Sequence, residues 1–192
     1  MSAETAPARR AKPNGWWGIA LLIATEASLL GALIASYFYL RFQNATWPPR
    51  GIEVPDPLAP SVLTVVLVLS SIPMLMAARA ARAGALGRAR AAIGFALLVQ
   101  AAYLAIQLHA YVDELGKHNP ADSSYSSIYY TLLGAHHAHV AVGMLLSLGI
   151  LIKLRRGLTN YRAVGVRAIA LYWHFTNAVA VAVLLTQLSP RL

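Results

Sequence analysis

Hydrophobic positions in this chain come in blocks separated by short polar segments rich in Pro, Gly, Arg or Asp. Five apolar runs are long enough, at about 20 residues each, to cross ~30 Å of hydrocarbon. They are placed at about 16–40, 58–78, 91–112, 126–154 and 166–188. Periodicity does not separate such runs from the buried helices of a large soluble protein, but length does. The pattern predicts an all-α, polytopic membrane protein: a five-helix transmembrane bundle over residues 15–192, preceded by a polar tail at 1–14. No internal repeat is visible, and no segment is left over for a soluble domain. Ala27, Gly31 and Ala35 form a small-residue ridge at every fourth position, which lets another helix approach closely. Pro73 removes a backbone donor and frees the carbonyl of Leu69, so a kink is expected there, with Ser70 or Ser71 able to satisfy the freed group.

Charge placement adds an orientation. Arg9, Arg10, Lys12, Arg79, Arg82, Arg88, Arg90, Lys153, Arg155, Arg156, Arg162 and Arg167 all fall on one side of the five spans. Only Arg41, Arg50, Lys117 and Arg191 fall on the other, with Glu53, Asp56, Asp113, Glu114 and Asp122. The positive-inside rule then puts the N-terminus in the cytoplasm and the C-terminus outside. The net charge of +9 is explained by topology and by attraction to anionic headgroups, so nucleic acid is not an expected partner. Trp16 and Trp17 at one end of the first span, and Tyr37 and Tyr39 at the other, fit an interfacial aromatic belt.

Composition agrees. Of 192 residues, 58% are hydrophobic and 12% charged, against roughly 25% charged in a soluble domain. Cysteine is absent, which excludes disulfides, thiolate metal sites and cysteine nucleophiles. The stretch from Met1 to Asn14 is polar and basic, and the first run is too long for the h-region of a cleaved leader, so none is expected.

The candidate chemistry lies at membrane depth. Glu26 sits roughly 15 Å beyond Trp16, near the bilayer centre, where a charge costs on the order of 3 kcal/mol. It is therefore expected to be neutral or hydrogen-bonded, and to face protein. Possible partners are His136 and His139, one turn apart in GAHHAHVAVG, and His174 and Asn177 in LYWHFTNA. Glu26, His139 and His174 fall within about 5 Å of one level. Gln100, near the middle of the third span, with Gln107 and His109 further out, completes a polar set expected to face inward as one buried network. Histidine pairs on membrane helices also ligate haem or copper, and three histidines with a glutamate can hold a metal. The pair in the fourth span, however, is adjacent on one helix, and no Glu-x-x-His pattern appears. Hydrogen bonding is the preferred reading, ahead of a proton- or lipid-linked role and of metal ligation. No catalytic or metal-binding residue is assigned.

The segment YFYLRFQNATWPPRGIEVPDPLAPSVLTVVLVLSS carries a resemblance. A glutamate within the preceding helix, then Trp47, Pro48, Pro49, Gly51 and Ile52, resembles subunit III of haem-copper oxidases, the cytochrome c oxidase branch most closely. Gln107 and Tyr111 match a Gln-x-x-x-Tyr run of that family. Tyr125, Ser127, Gly134, His136, His139, Val140 and Gly143 follow its Tyr-Gly-Ser and Gly-Phe-His-Gly-Leu-His-Val-x-x-Gly pattern, and Tyr172, Trp173, His174 and Phe175 its Tyr-Trp-His-Phe. Ala110, Asn177 and Ala180 depart from the family's glutamate, aspartate and tryptophan.

The resemblance implies a short bacterial form whose five helices correspond to the last five of seven-helix relatives. It implies a non-redox subunit in the bacterial inner membrane, without cofactors of its own, beside subunit I as main contact, subunit II and other subunits. Haem and copper would lie in those partners, which reduce oxygen and pump protons. This chain would support proton uptake and stability. Bound phospholipid is a further implication, although the cleft that holds it in seven-helix relatives, between their first two helices and the rest, is not formed the same way here. Subunit III of a quinol oxidase, or the accessory subunit of a nitric oxide reductase, is the alternative. An independent haem-carrying membrane cytochrome or transporter is a third.

Overall fold

The computed structural model describes residues 14–52 and 56–191. Arg9, Arg10, Lys12 and Glu53, used above for topology, lie outside the described residues. The helices are α1 (Asn14–Gln43), α2 (Leu58–Leu69), α3 (Ser71–Arg82), α4 (Leu86–Leu115), α5 (Ser124–Leu154) and α6 (Asn160–Leu188), closed by a 3-10 turn at Ser189–Arg191. Since α2 and α3 together make one span over Leu58–Arg82, five segments among the described residues are long and apolar enough to cross a membrane. Most overrun the apolar run that announced them, since a backbone leaving the hydrocarbon still gains by satisfying its polar groups within the helix.

The break in the second span falls at Ser70, three residues before Pro73. Proline's missing N–H and its ring both act one turn back, on the preceding carbonyls. The Ser70 hydroxyl is used, but it donates to the carbonyl of Leu67. Elsewhere the ends follow local chemistry. Ser123 and Thr159 start α5 and α6, their side-chain oxygens accepting from the N–H of Ser126 at 3.0 Å and of Arg162 at 3.2 Å. α3 closes where Gly84 takes φ +73° and the Ala85 N–H reaches back to the Ala80 carbonyl at 2.9 Å, a conformation that favours glycine.

The core belongs to α3, α4 and α6, with the end of α5. Met74, Ala77, Ala89, Ile93, Ala96, Leu154, Val166 and Trp173 are fully buried there, and the alanines allow backbones to approach closely. α1 lies to one side, against α5 and α6, and buries only Leu30 and Tyr37. Its rotation decides what each face meets. Ala27, Gly31 and Ala35 all face outward, and nothing stands within 4 Å of a Cβ built on Gly31, so the ridge packs nothing within this chain. Tyr37 is 1% exposed and belongs to the core, whereas Tyr39 is exposed. In α1 the inward side is marked by Glu26, which meets His139, and the small-residue ridge lies away from that side.

The loop ends separate into two faces. Gly15 and Ile19 of α1 share a 260 Å³ cavity with Lys153 of α5 and Arg162 of α6. Arg90, early in α4, donates to the carbonyl of Leu154 at the end of α5. Arg162 donates to the carbonyls of Arg156 and Gly157 at 2.7 and 2.6 Å. Cations there complement the negative end of a helix dipole. This is the basic face. The opposite face carries the loop after α1, the start of α5 and the C-terminal turn.

Candidate functional site

Most of the polar side chains at membrane depth fall into three sets, each joining different helices. In the first, Glu26 of α1 meets His139 of α5, carboxylate oxygen to Nε2. The other ring nitrogen, Nδ1, faces the carbonyl of Ala135. A carbonyl only accepts, so Nδ1 carries a hydrogen there. One proton is then left to share between Nε2 and the carboxyl group. Whether it sits on oxygen or on nitrogen, the pair has no net charge, which keeps its burial in an apolar medium affordable. His139 is buried, and about a fifth of the Glu26 side chain remains open. The Tyr172 hydroxyl donates to the His139 carbonyl at 3.4 Å, and the Tyr172 ring lies against Gly143, where a Cβ would stand 3.4 Å from it.

The second set joins α4 to α5. The Tyr103 hydroxyl bonds Nε2 of His136 at 3.2 Å and accepts from Gln107 Nε2 at 3.4 Å. One turn outward, Tyr111 donates to the Tyr130 carbonyl at 3.3 Å. Gly134 admits that ring, since a Cβ would stand 3.2 Å from the Tyr111 hydroxyl. The His137 ring meets Tyr111 edge to face, with centroids 5.6 Å apart.

In the third set, α6 holds the break between α2 and α3. Trp173 Nε1 donates to the Ser70 hydroxyl at 2.9 Å. Asn177 Nδ2 donates to the Leu67 carbonyl at 3.0 Å and to the Ser71 hydroxyl at 2.8 Å. The kinked span is thus fastened where its own ladder is interrupted.

The Trp47–Gly51 element folds back over the far end of α1. The Trp47 ring stands edge to face between Tyr37 and Tyr125, centroids 5.4 and 5.1 Å away, after which the Trp47–Pro48 peptide is cis. Gly51 takes φ +93°, and the Ile52 N–H returns to the Pro49 carbonyl at 3.2 Å. That is the third position of a turn needing a positive φ, where glycine is favoured. Ile52 then packs with Tyr37, Tyr125 and Ile128.

The sequence-predicted residues therefore do not share one hydrogen-bond system among the described residues. Glu26 and His139 meet, while His136 and Asn177 bond elsewhere. Gln100 is fully buried, and neither end of its amide has a partner among the described residues; His174 Nε2 is likewise without one. His109 turns out to the surface and pairs with Asp113 at 2.9 Å, its side chain 80% exposed. Sequence reasoning missed Tyr103 and His137, and it named Ser70 at the helix break without its partners Trp173 and Asn177. The first was detectable, because Gln100, Tyr103 and Gln107 repeat at three and four residues on one side of α4. Among the described residues no group of three or more His, Asp or Glu side chains is placed to hold a metal ion.

Comparison with known proteins bears on the family. The family model for cytochrome c oxidase subunit III matches residues 11–187. The cytochrome c oxidase subunit 3 of Bacillus subtilis is 31% identical over 188 residues, covering 93% of this chain and 90% of the relative. The cytochrome bo(3) ubiquinol oxidase subunit 3 of Pseudomonas aeruginosa is 29% identical, covering 88% of this chain and 82% of the relative. The Arabidopsis thaliana cytochrome c oxidase subunit 3 is 31% identical, covering 85% of this chain but 63% of that longer protein. With the family model matched over residues 11–187 and a relative 31% identical along nine-tenths of both chains, this chain belongs to the cytochrome c oxidase subunit III family, as a membrane subunit of a haem-copper oxidase.

Proposed function

We propose that the chain is a non-redox subunit that packs on subunit I, beside subunit II and other subunits, and supports proton uptake and stability of an oxygen-reducing, proton-pumping complex. Haem and copper are assigned to the partner subunits. The carrying observation is the use made of His139: one ring nitrogen serves Glu26 and the other the Ala135 carbonyl. A ring spent in this way has no lone pair to offer a metal. In this reading Glu26, Gln100, His136, His139, His174 and Asn177 are structural groups of the helix interfaces, and the proton shared by Glu26 and His139 is the one point of contact with proton chemistry. The outward ridge of α1 at Ala27, Gly31 and Ala35 supports packing against a helix of another subunit.

The test is co-purification. An affinity tag on this chain should bring down a haem- and copper-bearing partner, and the separated chain should show no Soret band. A Soret band on the chain alone defeats the reading. The relative named a ubiquinol oxidase subunit supports a second reading, in which quinol feeds the complex. Oxygen uptake with reduced cytochrome c against ubiquinol separates the two.

The membrane is proposed to be the bacterial inner membrane, with the basic face cytoplasmic and the C-terminus outside. The absence of native cysteine makes this simple to examine. An impermeant maleimide should label Ala121→Cys from outside the cell and leave Arg156→Cys unlabelled; the converse inverts the topology.

A further inference from the structure

Where α3 turns into α4, the basic face carries an apolar groove of about 720 Å³. Ile72, Pro73 and Met76 of α3 and Ala91, Ala92 and Phe95 of α4 form its walls, and Arg79 and Arg88 stand at its outer end. Small side chains and the proline after the helix break leave the space open. Seven residues separate Arg79 from Ile72, and seven separate Arg88 from Phe95, so the groove descends roughly 10 Å from the guanidinium level toward the bilayer centre.

The arginines of this face are not alike. Arg90 and Arg162 spend their guanidinium groups on helix-end carbonyls. The side chains of Arg79 and Arg88 are exposed and make no hydrogen bond or ion pair among the described residues. No described carboxylate lies on that face: Glu26 is mid-membrane, and Asp56, Asp113, Glu114 and Asp122 belong to the opposite loops. Two unneutralised cations at interfacial depth above an apolar slot match one molecule with both properties, an anion joined to a hydrocarbon chain. Basic pockets between transmembrane helices bind anionic headgroups, and guanidinium is suited to phosphate.

We infer that the α3–α4 groove is a binding site for an anionic diacyl phospholipid, one acyl chain lying against Ile72, Met76 and Phe95 and the phosphate held between Arg79 and Arg88. The site is independent of the electron donor and of the Glu26–His139 pair.

The experiment uses the whole oxidase complex, stripped of lipid by detergent exchange and titrated with phosphatidylglycerol or phosphatidylcholine under native mass spectrometry. Phosphatidylglycerol should bind in preference to phosphatidylcholine. The Arg79→Gln/Arg88→Gln pair should weaken that binding about thirtyfold, while Arg82→Gln/Arg155→Gln on the same face should change it less than about twofold. Ala91→Phe, which fills the groove from an exposed position and leaves both arginines intact, should also abolish it. Equal binding of the two lipids, an equal loss in the control pair, or undiminished binding in Ala91→Phe overturns the site. So does a photo-crosslinker at position 91 that captures a partner subunit in place of lipid.

Discussion

The two sides of this bundle are held by different means. On one side, α3, α4 and α6 close around Trp173, Met74, Ile93 and a set of alanines with no solvent reaching them. On the other, α1 rests on α5 and α6 with only Leu30 and Tyr37 buried, and depends on the Glu26–His139 contact at mid-height and the aromatic cap at one end. In lipid the first arrangement gains from close packing, because hydrocarbon offers no hydrophobic drive to bring helices together. The second gains from satisfying polar groups that have no other partner at that depth. The packed side should therefore respond to volume, and the α1 side to hydrogen-bonding capacity.

That contrast can be broken most directly at Trp173. Trp173→Ala removes the largest buried side chain and the donor to Ser70, and should cost about 3–5 kcal/mol, read as a loss of thermal stability in detergent. On the α1 side, Glu26→Ala should cost about 1–3 kcal/mol by leaving His139 Nε2 without a partner. Glu26→Gln should cost less, since its amide can still donate to that nitrogen. Equal melting temperatures for the two Glu26 variants would show that α1 is held by shape alone. A finer test lies between α4 and α5. Gly134→Ala should destabilise by about 1 kcal/mol against the Tyr111 hydroxyl, and by clearly less in a Tyr111→Phe background, where coupling between touching residues appears as non-additivity. Smallest of all, Asp113→Asn, which breaks the exposed pair with His109, should shift stability by no more than about 0.5 kcal/mol.

The spans were legible because hydropathy over twenty residues is a one-dimensional property, and the structure has five such helices. The helix break was placed within one turn of where it lies, displaced because proline acts on the turn before it. Rotation about each helix axis was much less legible. Tyr37, placed with Tyr39 at the end of the first span, turns into the bundle, and the Ala27–Gly31–Ala35 ridge faces away from this chain's own helices. Depth counting brought Glu26 to the level of His139, but depth says nothing of azimuth. His136 and Asn177, at similar depths, bond to Tyr103 and to the α2–α3 break instead. The family motifs hold more of this information than periodicity does, because Gly51, Gly134 and Gly143 mark a turn and two close ring contacts.

The Arg90 bond to Leu154 spans 64 residues of sequence, which has a consequence for biosynthesis. At about 5–20 residues per second of translation, the guanidinium emerges roughly 3–13 s before its acceptor exists. In that interval it must remain with water and headgroups, pinning the start of α4 at the surface while the ribosome completes the next hairpin. When the carbonyl arrives, a charge that served as an anchor during insertion becomes a clasp between two finished helices.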